Sequence, residues 1–459
     1  MTSPLTLRQR LVRGVQAQVA GHVVRVIIQV GGVSLLIAVW GLHRYGDWLI
    51  VAAIPNYIGF SDIGFTGAAM NEMIMSVARQ DRQRALVVFQ AVSNAMFGFF
   101  LLVAVAVVLL SAVIPVASLL NLSTITNHAA RWILVMLALD ALLEVYAGLF
   151  YGAFACEGRY GEGGLWTGGL LLAEFCGLAT AVLAGGGPTA GAAAMLAVRA
   201  AGTILMYLAM RRRVPWLHFG KPTAMRSVLR GLLSPALASG AIPAAQILNI
   251  QGMVILLGVT VGPAGVAVFS TVRTMTRALI QLLASVFTVI TPEISRAYAA
   301  DDHDFVHAIH RRGCQLAIWL ALPPTIVLGV FGGPILKLWT SGKVGPDGLM
   351  LYILLATVVI DALWTTSLGV LYATNRHQRV AAYYFVGSLI SLPVAYALIK
   401  VWRLDGAALS VLLLELFMLI PVLRQALPAA CDNLHDWLAA IIRPPISLST
   451  LAALRAQLR

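Results

Sequence analysis

The chain has 459 residues, of which 59% are hydrophobic and 11% are charged, and its formal net charge is +13. Soluble domains contain about 25% charged residues. Together with a mean hydropathy of +0.86, this composition excludes an ordinary soluble enzyme and indicates a polytopic membrane protein. A basic soluble protein would suggest a nucleic-acid partner, but in a membrane protein basic residues concentrate in cytoplasmic loops. No nucleic-acid partner is therefore expected.

Apolar runs alternate with short polar segments along the whole chain. A hydrocarbon core about 30 Å thick requires roughly 20 apolar residues per helix. The first run follows a basic amphipathic segment that has no small-residue cleavage site, so no removable signal peptide is predicted. The pattern predicts about twelve transmembrane helices, at residues 19–40, 47–68, 86–111, 131–153, 163–184, 189–209, 238–259, 264–290, 313–333, 347–372, 380–400 and 406–426.

The basic residues of the connecting loops lie mainly on one side of these spans. With the spans placed as above, 22 Lys and Arg residues share a side with both termini, and six fall on the opposite side. Cytoplasmic loops carry an excess of Lys and Arg. The distribution predicts that both termini are cytoplasmic.

The longest predicted cytoplasmic connection lies between spans six and seven. The chain is therefore predicted to have four segments: an N-terminal lobe at 1–209, a cytoplasmic linker at 210–237, a C-terminal lobe at 238–426 and a cytoplasmic tail at 427–459. Because six is an even number, both lobes then begin on the same side of the membrane, as in a parallel repeat.

An offset of 221 residues supports such a repeat. It places Asp140, in span four, on Asp361, in span ten, and Glu72 on Glu293. Internal duplication is common among transporters. The expected fold is therefore an all-α polytopic membrane protein made of two six-helix lobes.

Two predicted spans carry polar residues at helical spacing. Arginine at the centre of a membrane helix costs about 2.5–3.5 kcal/mol, so such stripes are expected to face the interior of the bundle. Span one has polar side chains spaced 4, 3 and 4 residues apart, at Gln18, His22, Arg25 and Gln29. Span eight repeats this arrangement with Ser270, Arg273, Arg277, Gln281 and Thr288.

The pair Arg273 and Arg277 points to an anionic ligand. Two arginines one turn apart repel each other unless an anion lies near them, and guanidinium groups bind phosphate oxygens bidentately. Two alternatives stay open: internal pairing with acidic residues for this pair, and snorkelling to the cytoplasmic surface for Arg25. The candidate residues for binding a pyrophosphate or lining the cavity are Arg25, Gln29, Arg199, Arg273, Arg277 and Gln281.

The predicted spans also contain five acidic residues, namely Asp140, Glu144, Glu174, Asp361 and Glu415. Their number nearly balances the four arginines in the spans, which predicts structural ion pairs. Alternatively, Asp140 and Glu144, one turn apart, carry a proton for antiport, or these residues and Asp361 serve as gating contacts. The cysteines and histidines lack metal-binding or catalytic spacing, so no metal, cofactor or enzymatic activity is expected.

Residues 45–84 resemble the second-span region of Wzx-type O-antigen and exopolysaccharide flippases. Tyr45-Gly46 opens the span, Ser61-Asp62-Ile63-Gly64 closes it, and a polar cytoplasmic segment follows. The turn LYATNRHQR at 371–379 is similar to that family's loop between spans ten and eleven. The wider MOP superfamily also contains the lipid II flippases and the MATE drug exporters.

This resemblance implies two six-helix lobes around a central cavity that opens alternately to each side. It implies a bacterial inner-membrane flippase that moves a polyprenyl-pyrophosphate-linked oligosaccharide from the cytoplasmic to the periplasmic leaflet, for exopolysaccharide or O-antigen synthesis. The expected protein is a monomer in contact with membrane lipids and with the polysaccharide polymerase machinery.

Three other classes of membrane protein fit the sequence less well. A MATE-type drug or cation antiporter would require a cavity dominated by acidic residues, whereas spans one and eight present arginines. A polytopic sugar polymerase or ligase would carry a large periplasmic loop, whereas the predicted outer connections at 112–130 and 334–346 are short. A major-facilitator carrier would carry a basic motif between spans two and three, which is missing.

The loop charges generate a test of topology. In a chain whose four cysteines are replaced by serine, Lys343→Cys and Arg403→Cys should react with a membrane-impermeant maleimide added from the periplasmic side, because both positions lie in predicted outer loops. Arg212→Cys should react only when the cytoplasmic side is accessible. Labelling of Lys343→Cys from the cytoplasmic side alone would contradict the predicted orientation.

Overall fold

The computed structural model describes the backbone of residues 7–59, 64–345, 348–374 and 376–444. These residues form helices joined by short turns and contain no strand. The helices are α1 Leu7–Gly59, α2 Phe65–Ala78, α3 Arg82–Val113, α4 Val116–Leu119, α5 Asn127–Cys156, α6 Tyr160–Leu183, α7 Pro188–Arg213, α8 Met225–Thr260, α9 Pro263–Ala299, α10 His303–Trp339, α11 Met350–Ala373, α12 Gln378–Ala429 and α13 Leu434–Ile442.

Nine helices within the described part of the chain are long and apolar enough to cross a membrane. Two of them, α1 and α12, contain a break in the helical backbone, at Gly41 and at Arg403. When each is counted as two helices and α9 is added, the helices correspond one for one to the twelve predicted spans. The prediction of an all-helical polytopic membrane protein is confirmed. Residues 60–63 and 375, which belong to the segments that resemble the flippase family, lie outside the described residues.

The turns of the two halves of the chain repeat each other. Residues with positive φ occur at several turns and helix breaks, where the backbone must change direction. Three pairs of such residues are 221 positions apart, the offset found in the sequence: Gly41 and Gly262, Gln80 and Asp301, and Asn121 and Gly342. Since a positive φ is uncommon outside glycine, this agreement supports an internal repeat.

Two aspartates at the same offset cap equivalent helices. The Asp81 carboxylate accepts a hydrogen bond from the Arg84 amide at 2.8 Å at the start of α3. The Asp302 carboxylate accepts one from the Phe305 amide at 3.0 Å at the start of α10. Each cap satisfies an amide that the first turn of a helix leaves unpaired.

The chain divides into two compact units, residues 1–268 and 269–459, which we call unit 1 and unit 2. Helix α8 belongs to unit 1, where it packs against α1, α2 and α3. The sequence places this helix, as span seven, at the start of the predicted C-terminal lobe. The division into lobes at 210–237 stays a prediction.

The segment that follows α7 is docked onto unit 1. Leu217 is fully buried in a core built mainly from α2, α3, α5 and α7. The Trp216 indole donates a hydrogen bond to the Glu157 carboxylate at 2.8 Å. The Gln90 amide donates one to the His218 carbonyl at 3.2 Å. The first half of the predicted linker is therefore part of the packed structure.

The second part of α1 runs antiparallel to the second half of α8. Beyond the end of α8, a Cβ added to Gly46 would clash with the backbone of Pro263, the first residue of α9. Near the other end of the contact, the Tyr57 hydroxyl donates a hydrogen bond to the Leu248 carbonyl at 3.3 Å. Gly46, from the Tyr45-Gly46 pair that opens the second predicted span, is therefore a site where two backbones meet without an intervening side chain.

We expect Gly46→Ala to destabilise the protein, because the added methyl group meets backbone atoms that cannot rotate away. Overpacking of this kind costs about 1–3 kcal/mol. Heating the solubilised protein and measuring the remaining monodisperse fraction should show a lower unfolding midpoint. Gly98→Ala in α3 is the control, since its Cβ would have nothing within 4 Å. Equal midpoints for the two variants would show that the backbones at Gly46 and Pro263 are not this close.

Candidate functional site

Arg199 in α7 lies at the centre of a buried charge cluster in unit 1. The guanidinium donates a hydrogen bond to the Glu174 carboxylate of α6 at 2.6 Å. It forms longer ion pairs with two carboxylates of α5, at 3.8 Å with Asp140 and at 3.9 Å with Glu144. The geometry favours the internal-pairing alternative for Arg199, whose role as a substrate contact stays a prediction.

The Arg199 cluster contains more acidic than basic groups. Glu174 and Asp140 are only 3% and 7% exposed, whereas the Glu144 side chain is 63% exposed. One guanidinium can neutralise one of the three carboxylates, and uncompensated charge within membrane-spanning helices is costly. Asp140 and Glu144 are one turn apart on α5, and their role in carrying a proton stays a prediction. This chemistry suits a further cation or a proton that reaches the cluster through Glu144.

Arg273 and Arg277 lie one turn apart in the α9 part of unit 2, and both side chains are half-buried. The Arg273 guanidinium lies 5.8 Å from the centre of the Phe269 ring. The Glu415 carboxylate of α12 lies close enough to attract its positive charge. Among the ion pairs of the described residues, none involves Arg277.

Two acidic residues of unit 2 form hydrogen bonds with uncharged side chains. The Trp364 indole donates to the Glu415 carboxylate at 2.9 Å. The Thr365 hydroxyl donates to one oxygen of the buried Asp361 carboxylate at 3.0 Å. The other Asp361 oxygen is buried and has no hydrogen-bond partner among the described residues. Neither carboxylate forms an ion pair shorter than 4.0 Å with an arginine in this part of the chain.

The polar stripe of the first span is described only in part. Arg25 is exposed and Gln29 is half-buried on α1, whereas the side chains of Gln18 and His22 lie outside the described residues. On α9, Gln281 is half-buried one turn beyond Arg277. The convergence of Arg25 with the arginines of span eight on one ligand stays a prediction.

Sequence reasoning missed several partners of these charges. It included Glu174 among the acidic residues but did not identify it as the hydrogen-bonded partner of Arg199. Trp364 bonds to Glu415, and the Tyr384 ring packs beside it at a centroid distance of 6.0 Å. Both residues are uncharged and follow no motif, so only the packing of α11 against α12 reveals them. Thr365 lies four residues after Asp361, and this helical spacing was the one available signal.

If Arg199 is mainly structural, Arg199→Leu should sharply reduce the yield of folded protein. Breaking a buried ion pair leaves uncompensated charge and costs about 3–5 kcal/mol. Adding Glu174→Leu should restore part of the stability, and Arg212→Leu, at the exposed end of the same helix, should have little effect. Thermal unfolding of the purified variants measures this. Normal stability combined with lost transport in Arg199→Leu would instead make this residue a substrate contact.

Neither a family model nor a curated protein matches this sequence. Solved structures do match it. The lipid II flippase MurJ in an inward closed conformation aligns with a TM-score of 0.73 at 12% identity, covering 93% of this chain and 90% of that chain. An inward-facing multidrug resistance MATE family transporter of the MOP superfamily aligns with a TM-score of 0.71 at 14% identity, covering 89% and 98%.

An outward-facing MATE family transporter of the same superfamily also aligns, with a TM-score of 0.61 at 14% identity, covering 91% of this chain and 95% of that chain. These alignments span nearly the whole length of each protein, and at such low identity they establish the fold alone. The chain is a multi-pass membrane protein with the fold that these MATE transporters share with the MurJ flippase.

Proposed function

We propose that the protein is a flippase that moves a polyprenyl-pyrophosphate-linked oligosaccharide from the cytoplasmic to the periplasmic leaflet by alternating access. The observation that carries this proposal is the pair Arg273 and Arg277 on α9. The pair lies within a predicted transmembrane span, and Arg277 forms none of the ion pairs of the described residues.

The electrostatics of the pair favour a multiply charged anion. Positions four residues apart on a helix are separated by about 6 Å along its axis. Two positive charges at that separation repel each other by about 3 kcal/mol at an effective dielectric constant near 20. A pyrophosphate removes this repulsion because its oxygens can accept hydrogen bonds from both guanidinium groups. Arginine keeps its charge in such surroundings more reliably than lysine.

Polar residues beside the arginines suit the remainder of a sugar headgroup. Gln281 continues the line of Arg273 and Arg277 along α9. In the proposal Arg25 and Gln29 of α1 line the same cavity, and the two predicted lobes enclose it. The amides of the glutamines would bind sugar hydroxyls, whereas the arginines would hold the phosphates.

Release of the anion requires a competing charge. Asp361 is suited to this role because its carboxylate is buried in unit 2 and one of its oxygens lacks a hydrogen-bond partner among the described residues. In the proposed cycle this carboxylate pairs with the arginines when the cavity reopens, so that the substrate leaves. Asp140 and Glu144 would couple the cycle to protons or serve as gating contacts.

The fold supports a transporter of lipid-linked substrates, because a lipid II flippase shares it. The proposed flippase lies in a bacterial inner membrane with both termini cytoplasmic. It acts as a monomer and delivers its product to a polysaccharide polymerase. A cation exporter is the second candidate. It is favoured by the acidic excess around Arg199 and by the MATE transporters among the similar structures.

Neutralising both arginines tests the proposal. Arg273→Gln combined with Arg277→Gln should abolish polymer export while the protein level stays normal, because the phosphates lose both binding partners. The corresponding double lysine variant should retain part of the activity, since the charge survives and only the bidentate geometry is lost. Arg296→Gln is the matched control, because Arg296 lies on the same helix and is exposed in a pair with Glu293 at 2.7 Å.

Surface polysaccharide and protein level are measured together in a strain that lacks the native gene. Unchanged export in the double glutamine variant would rule out the anion site. Efflux of a cationic dye that persists in this variant, without any effect on polysaccharide, would favour the cation exporter.

A further inference from the structure

A cavity of about 300 Å³ lies within unit 1, between α2, α3, α5 and α8, and is open on one side. A space of this size is at the lower end of the range for ligand pockets. The larger side chains of its wall are Phe65, Met96, Phe99, Phe100, Tyr146 and Leu229.

The wall of this cavity is apolar. Its one side-chain polar group is the Tyr146 hydroxyl, which donates a hydrogen bond to the Ser93 carbonyl at 3.0 Å. The ring of Phe100 packs edge-on against Tyr146 at a centroid distance of 6.3 Å. With its one hydroxyl already bonded to the protein, the cavity suits a hydrocarbon and not a saccharide.

The cavity is continuous with an exposed apolar surface. Phe99, one of its wall residues, is 41% exposed, and Phe97, Leu101 and Leu102 beside it on α3 are more exposed still. α3 is one of the helices apolar enough to span the membrane. Apolar side chains of such a helix that are not covered by protein meet lipid chains. A chain can therefore enter the cavity from the hydrocarbon of the bilayer.

A positive charge flanks the cavity. Leu229 lies near the start of α8, and Arg226 is on the same face of that helix, one turn nearer its N-terminus. Arg230 follows Leu229 directly. Both arginines are exposed, and neither takes part in the ion pairs formed by the described residues. Hydrocarbon space beside an arginine is complementary to a lipid whose phosphate adjoins its chain.

We infer that this cavity binds the isoprenoid tail of the lipid-linked substrate, with Arg226 contacting the phosphate end during loading. The inference rests on the proposed function and adds a tail-binding site in unit 1. A cavity of this volume holds part of one hydrocarbon chain. In a polyprenyl carrier the phosphate is bonded directly to the chain, whereas glycerol ester linkages separate the two in a phospholipid, so the polyprenyl carrier better matches an arginine beside the cavity.

Photocrosslinking to the full-length protein in lipid nanodiscs tests the site. The probe is a polyprenyl phosphate that carries a diazirine in its chain, and the comparison probe is a phosphatidylglycerol with a diazirine in one acyl chain. The polyprenyl probe should label peptides from α3 and α5, and the phospholipid probe should label them much less.

Filling the cavity should block this labelling. Ala95→Trp places an indole among the wall residues, and we expect labelling to fall about tenfold because the space is occupied. Val145→Phe, a smaller change in the same wall, should reduce it less. Ala112→Trp, exposed near the far end of α3, is the matched control and should label like the wild type. Arg226→Gln should lower labelling by the phosphate probe about two- to fivefold, as expected for one exposed charge contact.

A probe of the same chain that ends in a neutral alcohol should be insensitive to Arg226→Gln. Equal labelling by the phospholipid probe would overturn the inference in favour of a general lipid site. Labelling confined to other helices would overturn it as well. These outcomes are independent of the proposed function, which is judged by export in the Arg273 and Arg277 variants. If the Arg273 and Arg277 variants lose export but the polyprenyl probe does not label the cavity, only the tail site is rejected. If the probe labels the cavity but those variants export normally, only the anion site is rejected.

Discussion

A guanidinium group within a membrane-spanning helix must be compensated by a carboxylate of the protein or by a ligand, because hydrocarbon cannot solvate its charge. The two units meet this requirement differently. In unit 1 a single arginine, Arg199, is surrounded by carboxylates from two other helices. In unit 2 two arginines occupy successive turns of one helix, and the nearby carboxylates Asp361 and Glu415 form hydrogen bonds with Thr365 and Trp364. The described residues thus include one region in which acidic groups predominate and another in which two arginines lie one turn apart.

The sequence predicted the membrane-spanning helices well, because the length of an apolar run is a direct consequence of bilayer thickness. It also identified Arg199 and the acidic residues of the spans. It did not predict which of them pair, since Arg199 and Glu174 are 25 residues apart on separate helices and their contact depends on helix packing. Trp364 and Tyr384 are uncharged, so nothing in a charge pattern distinguishes them. The assignment of α8 to unit 1 depends likewise on close packing, as where Gly258 of α8 meets Ile50 of α1, that composition does not reveal.

The repeat between the halves is clearer in backbone conformation than in residue identity. Gln80 and Asp301 occupy equivalent turns with positive φ, as do Asn121 and Gly342, although the side chains differ. The turn requires a conformation that several residue types can adopt at modest cost. Sequence comparison alone detects only the few positions at which the side chain also has a structural role, such as the helix-capping aspartates Asp81 and Asp302.

The docked segment after α7 has a mechanical consequence. Trp216, Leu217 and His218 are held by α3 and by the end of α5, so the chain that enters α8 leaves from an anchored point. Helix α8 is therefore connected to α3 in two ways, by direct packing and through this anchored segment. Inserting flexible residues between His218 and α8 would remove only the second connection, so that α8 could tilt more freely against α3 without any change in buried charge.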